Sequence, residues 1–121
     1  MKWKTLQASP MPEDTIQRSV IQHLDARAFP EAIYWHTPNG GYRNAIEAKR
    51  FKSLGVTPGM PDLFILKGGR LYGLELKAEK GRPTAAQKAM HQALEAAGAT
   101  VAIANGLDPA LQQLEQWGIL K

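Results

Sequence analysis

Apolar positions Ile16, Val20, Ile21 and Leu24 recur at the spacing of one helical face, which predicts a first helix from Glu13 to about Ala28. Pro12 and the acids Glu13 and Asp14 suit its start, and Phe29-Pro30 ends it. The pattern then turns β-branched and aromatic over Ala32–His36, a strand closed by the loop Pro38-Asn39-Gly40-Gly41. A short basic helix is predicted from Asn44 to about Leu54, with Gly55 as its stop. Asp62–Leu66 and Arg70–Lys77 read as two strands folded on each other by the Gly68-Gly69 turn. Thr84 is placed to cap a helix that runs to about Ala97, and Gly98 closes it. A buried apolar strand, Ala99–Ala104, precedes a last helix over 108–117 with Leu111, Leu114 and Trp117 on one face.

Helices alternating with strands predict an α/β fold, a mixed sheet flanked by helices. The 121 residues suffice for one domain spanning 1–121, with 1–12 as a loose N-terminal arm. Trp35 and Trp117 are read as core. Cysteine is absent, which excludes a disulfide scaffold, a thiolate metal site and a cysteine nucleophile. Nothing approaches the roughly 18 continuous apolar residues of a membrane span. The polar residues after Met1-Lys2-Trp3-Lys4 form no export signal, so a cytoplasmic protein is expected, in a bacterial or phage-infected cell. The net charge of +4 suits an anionic partner such as nucleic acid.

The residues with most chemistry are Pro61-Asp62 and Glu75-Leu76-Lys77. Positions two apart on a strand share a face, so Glu75 and Lys77 project together while Leu76 faces the other way. A hairpin pivoting on Gly68-Gly69 brings position 62 opposite about 75, gathering two carboxylates and a lysine at one sheet edge. Paired carboxylates repel, and a hard divalent cation such as Mg²⁺ or Mn²⁺ relieves that repulsion. Such an ion polarises a phosphoryl oxygen, and Lys77 is placed to orient or deprotonate water. A solvated ion pair on a surface hairpin needs the same three residues, so the trio alone decides nothing.

Its surroundings carry more weight. Gly55-x-x-x-Gly59-x-Pro61-Asp62-Leu63, Glu75-Leu76-Lys77 and the later Gln87 resemble the VRR-NUC branch of the PD-(D/E)XK nucleases. Glu13-x-x-x-Gln17 and Pro38-Asn39-Gly40-Gly41 extend the resemblance from about Glu13 to about Ile103. The resemblance implies a restriction-endonuclease-like core in α-β-β-β-α-β order and a DNA endonuclease, structure-selective in the manner of Holliday-junction resolvases and homodimeric. It also implies Asp62, Glu75, Lys77 and Gln87 as catalytic residues. Glu13, Asp62, Glu75 and the backbone carbonyl of Leu76 would hold Mg²⁺ or Mn²⁺.

Several of these residues have a second reading. Glu13 in a first turn favours the helix dipole whatever its function. Gln87, three residues after Thr84, also fits a capping box. Asn39, Arg43, Lys80 and Arg82 are the preferred DNA-phosphate contacts, the last two because they follow the catalytic strand. The histidines His23, His36 and His91 have no ligand spacing, and His36 alone is placed to approach the catalytic edge. Two alternatives stay open: a module that binds branched DNA with weak or partner-dependent cleavage, and an RNA-directed hydrolase of the same fold.

Overall fold

The computed structural model describes residues 11–38 and 45–121. Among them lie α1 (Glu13–Arg27), β1 (Ile33–His36), α2 (Ala45–Ser53), β2 (Leu63–Lys67), β3 (Arg70–Lys77), α3 (Ala85–Ala96), β4 (Thr100–Asn105) and α4 (Leu107–Gln116). The strands form one mixed sheet in the order β1-β2-β3-β4, flanked by helices. β1 pairs antiparallel with β2, and β2 with β3. A helical crossover, α3, joins β3 to β4, the kind of connection a parallel pair requires.

By contacts the chain forms two compact units. Among the described residues, one comprises 11–30, 76–82 and 103–121, the other 31–38, 45–75 and 83–102. In the first, the predicted apolar stripe of α1 is the buried one: Ile16, Val20 and Leu24 are at most 1% exposed. Ala110, Leu114 and Ile119 complete its core, and α1 packs on α4. Arg27 ties the end of α1 to the C-terminus, donating to Glu115 Oε2 at 3.0 Å and to the Lys121 carbonyl at 2.9 Å.

In the second unit the hairpin supplies the core. Leu63, Ile65 and Leu74 are fully buried, because β2 and β3 are central strands with both faces covered. Gly68 and Gly69 take φ of +59° and +76°, the left-handed pair that a two-residue hairpin turn demands. Gly59 (φ +82°) lets its loop lie against the first turn of α3, where an added Cβ would fall 2.5 Å from the Ala86 carbonyl oxygen. Thr84 caps α3 as predicted.

Two expectations need correction. β4 is an edge strand, so only Ala104 in it is buried and Ile103 is 40% exposed. Trp35 is no core residue: it lies on the other edge strand, stacks on Phe64 with centroids 5.7 Å apart, and remains 43% exposed. Asn39 and Arg43, expected to contact DNA, fall outside the described residues, as does most of the arm at 1–12.

Candidate active site

The hairpin register decides where the two carboxylates stand. Leu63 pairs with Leu74, and one further step along the same antiparallel ladder brings Asp62 opposite Glu75. Opposed residues on antiparallel strands present their side chains to the same face. The paired ladder ends at Leu63–Leu74, one step short of the expected pairing of 62 with about 75, and its direction agrees with that pairing.

Asp62 is held by its backbone. Its carbonyl accepts from Thr37 N at 2.8 Å, which continues the β1–β2 ladder, and from His36 Nδ1–H at 2.9 Å. His36 thus reaches the edge where Asp62 stands, as its place at the end of β1 implies. Pro61, fully buried, precedes Asp62, and Gly73 of β3 gives it room: a Cβ there would come within 2.8 Å of the proline ring.

Glu75 is 1% exposed. An isolated buried carboxylate is strongly unfavourable unless neighbours compensate it. Two residues of α3 face it. Gln87 Nε2–H donates to Glu75 Oε2 at 3.2 Å, and His91 Nε2 stands 3.4 Å from Oε1. His91 is itself 6% exposed.

The capping-box reading of Gln87 holds, and its side chain makes one contact more. Its backbone N–H donates to Thr84 Oγ1 (3.1 Å) and its side-chain Oε1 accepts from Thr84 N–H (2.8 Å), a complete capping box. The amide nitrogen left over is the atom that reaches Glu75. The cap therefore fixes the Gln87 side chain in the orientation that serves the carboxylate.

His91 was missed by sequence reasoning. The signal was present in its spacing: His91 follows Gln87 by four, so any residue contacted by one is within reach of the other.

Lys77 lies two residues past Glu75 along β3, in the first compact unit, as do Leu76 and Glu13. Its side chain is sheltered, 8% exposed, and its carbonyl accepts from Gly106 N at 2.9 Å. The loop that follows is pinned by Asn105, whose Nδ2 donates to the carbonyls of Ala78 (2.9 Å) and Gly81 (2.7 Å). Lys80 and Arg82 are exposed on that loop. Glu13 opens α1 with no side-chain cap to Pro12.

On the sheet face of Asp62, the second unit has an open pocket of about 410 Å³, lined by Trp35, Thr37, Val56, Met60, Phe64 and Leu94 among others. Trp35, Thr37 and Phe64 share that face by register.

Among the described residues no three His, Asp or Glu side chains gather to hold a metal ion. Mg²⁺ rarely asks for such a cage, since it retains waters and takes one or two carboxylates. Asp62 and Glu75 supply all-oxygen donors on one face, a set that fits Mg²⁺ or Mn²⁺ and not a thiolate-seeking ion.

No family model matches the chain, and no curated protein matches it closely. Solved structures do. A protein described as a "VRR_NUC domain protein" is 26% identical over 91% of this chain and 90% of its own, with a TM-score of 0.76. The chain shares the fold of VRR-NUC domain proteins. A second structure, a "VRR_NUC domain", covers 87% of the chain and 96% of its own at 19% identity and a TM-score of 0.59, and it supports the fold alone. The VRR-NUC fold is a nuclease-type fold, so the motif read from the sequence and the architecture point to one class of chemistry.

Proposed function

We propose that this chain is a metal-dependent DNA endonuclease that hydrolyses phosphodiester bonds, selects branched structures and acts as a homodimer. One observation carries the catalytic part. The β2–β3 register runs to Leu63–Leu74, the residues next to Asp62 and Glu75, and Glu75 is buried yet bonded to Gln87. Burying a carboxylate is costly, and a buried carboxylate beside a second acid is a functional-site candidate.

In this reading Asp62 and Glu75 hold Mg²⁺ or Mn²⁺, with Glu13 and the carbonyl of Leu76 as further donors. When bound, the ion supplies charge that polarises a phosphoryl oxygen and acidifies water. Lys77, a sheltered ammonium two residues on from Glu75, orients the attacking water through its N–H donors and offsets charge building on the phosphate. Gln87 keeps Glu75 in place by its bond to Oε2. Lys80 and Arg82, exposed on the loop after β3, meet the DNA backbone and add affinity without sequence preference.

The dimer reading draws on apolar exposure. Ile33, Ile46 and Leu54 are 62%, 81% and 67% exposed, and β1 is an open sheet edge among the described strands.

The test is cleavage of labelled four-way junction, flap, linear duplex, single-stranded DNA and RNA, each with Mg²⁺, Mn²⁺ or EDTA, beside sedimentation of the free protein. Symmetric, metal-requiring junction cleavage by a dimer is expected. Junction binding without cleavage would replace the proposal with a binding module, and preferential RNA cleavage with an RNA-directed hydrolase.

A further inference from the structure

Apolar surface gathered in one exposed patch marks binding sites, whereas single exposed apolar residues need no explanation. Trp35 belongs to such a patch. Its indole is 43% exposed and stacks on Phe64, the residue opposite it across the β1–β2 ladder, with ring centroids 5.7 Å apart. The two rings line the open pocket of about 410 Å³, and Val56, Met60, Leu71 and Leu94 complete its apolar wall. Small-ligand sites run from roughly 300 to 1,000 Å³, so the space suits one planar group.

Two features narrow the occupant. The pocket reaches the candidate catalytic edge: Thr37 lines it and donates its backbone N–H to the Asp62 carbonyl at 2.8 Å. Phe64 lies two residues past Asp62, a step of about 7 Å in extended chain. Cations precede its wall. Arg50 and Lys52 form the basic last turn of α2, both exposed, and the chain runs from there into Gly55, Val56 and Thr57 of the pocket. An apolar slot floored by stacked rings and bordered by cations matches a ligand with a flat apolar face and an anionic chain. A nucleobase on its phosphate backbone is such a ligand, and single strands are held by aromatic stacking beside a basic track. Bases inside a duplex are covered by their neighbours, so the slot admits unpaired ones.

We infer that the Trp35–Phe64 pocket receives an unpaired nucleobase of the DNA and so contributes to the choice of branched over fully paired substrates. The inference rests on the nucleic-acid part of the reading above and is independent of the metal. Trp35 is the stacking surface, and Phe64 supports it. Removing one such platform weakens binding by about 10–100-fold.

The experiment measures binding of labelled DNA to the full chain by fluorescence anisotropy, in EDTA. The probes are a thymine strand, an abasic strand of the same length and phosphate count, and a blunt duplex. The proteins are the wild type, Trp35→Ala, Trp35→Phe and Lys52→Ala, each checked for folding by circular dichroism. The wild type should bind the thymine strand about 10–100-fold more tightly than the abasic one. Trp35→Ala should bind the two strands alike, Trp35→Phe should keep most of the preference, and neither change should alter duplex binding. Lys52→Ala should weaken both strands by the same factor, because a lysine meets phosphates and not bases. The thymine strand should also quench the tryptophan fluorescence of the wild type where the abasic strand does not. Trp35→Phe should lose that quenching, a result that stands even if Trp35→Ala does not fold.

Equal affinity of the wild type for the thymine and abasic strands would overturn the inference, as would a preference that Trp35→Ala retains. A merely structural role would lower the melting temperature and weaken both strands alike. A dimer that dissociates in Trp35→Ala with the base preference intact would make a second copy of the chain the occupant, and the inference would fail. Metal-dependent cleavage without any base preference removes the pocket alone. Base preference with no cleavage under any metal supports the pocket and removes the nuclease reading. A folded wild type that binds no DNA ends both.

Discussion

Gly59→Ala tests the joint on which Asp62 depends, and Gly55→Ala provides its control. Both glycines have left-handed backbones, φ +82° and +92°. An alanine at either therefore bears about 1–2 kcal/mol of backbone strain, offset in part by a stiffer unfolded chain. They differ in room. A Cβ on Gly55 meets nothing within 4 Å, whereas one on Gly59 lies 2.5 Å from the Ala86 carbonyl oxygen and 2.8 Å from its carbon. Those are backbone atoms in the first turn of α3, so no side chain can swing aside, and relieving such an overlap typically costs about 1–3 kcal/mol. Gly55→Ala should therefore destabilise by about 1 kcal/mol and Gly59→Ala by about 3 kcal/mol. Urea unfolding followed by tryptophan fluorescence reads the difference as a shift in midpoint, provided the slopes agree. Gly59 stands three residues before Asp62, so displacement of its loop should also reduce cleavage in the folded protein, while Gly55→Ala stays active. Equal destabilisation by the two substitutions would refute the close approach of this loop to α3.

Further expectations concern separate parts of the chain. Leu74→Ala removes a side chain that is 0% exposed and should cost about 2–5 kcal/mol by thermal or urea unfolding; a loss under 1 kcal/mol would deny its place in the core. Thr84→Ala removes the acceptor for Gln87 N–H, which should lower stability by about 1 kcal/mol. Unchanged unfolding would argue against the cap. Lys80→Ala and Arg82→Ala should weaken DNA binding alike for all sequences and reduce the salt slope of log K by about one each; an unchanged slope would remove that residue from the interface.

Much of this molecule was legible because local signals agreed with the fold. The Gly68-Gly69 turn set the hairpin register, which runs from Lys67–Arg70 to Leu63–Leu74, next to Asp62 and Glu75. The stripe Ile16, Val20, Leu24 gave the buried face of α1, and Thr84 gave the start of α3. Burial on edge strands was not legible, because an apolar run such as Val101–Ala104 reads the same whether or not a neighbour covers it. Trp35 went astray for the same reason. His91 escaped because its one signal, the spacing of four from Gln87, counts only once Gln87 is seen to face Glu75. Its significance comes from Glu75, sixteen residues away on another element, and only packing brings the two together. The capping box of Gln87 was legible from its spacing to Thr84, whereas its bond to Glu75 was not, because spacing does not reveal that the amide nitrogen stays available once the oxygen serves the cap.

The central claim is that Asp62, Glu75 and Lys77 form a metal-dependent hydrolytic site. The most direct measurement is single-turnover cleavage of a labelled four-way junction by the wild type, Asp62→Ala and Lys77→Ala, with Mg²⁺ and with EDTA. The account predicts cleavage by the wild type that EDTA abolishes, and a loss on the order of 10²–10⁴-fold for Lys77→Ala, with Asp62→Ala at least as low. Full metal-dependent cleavage by either variant, or cleavage by the wild type that persists in EDTA, would contradict it.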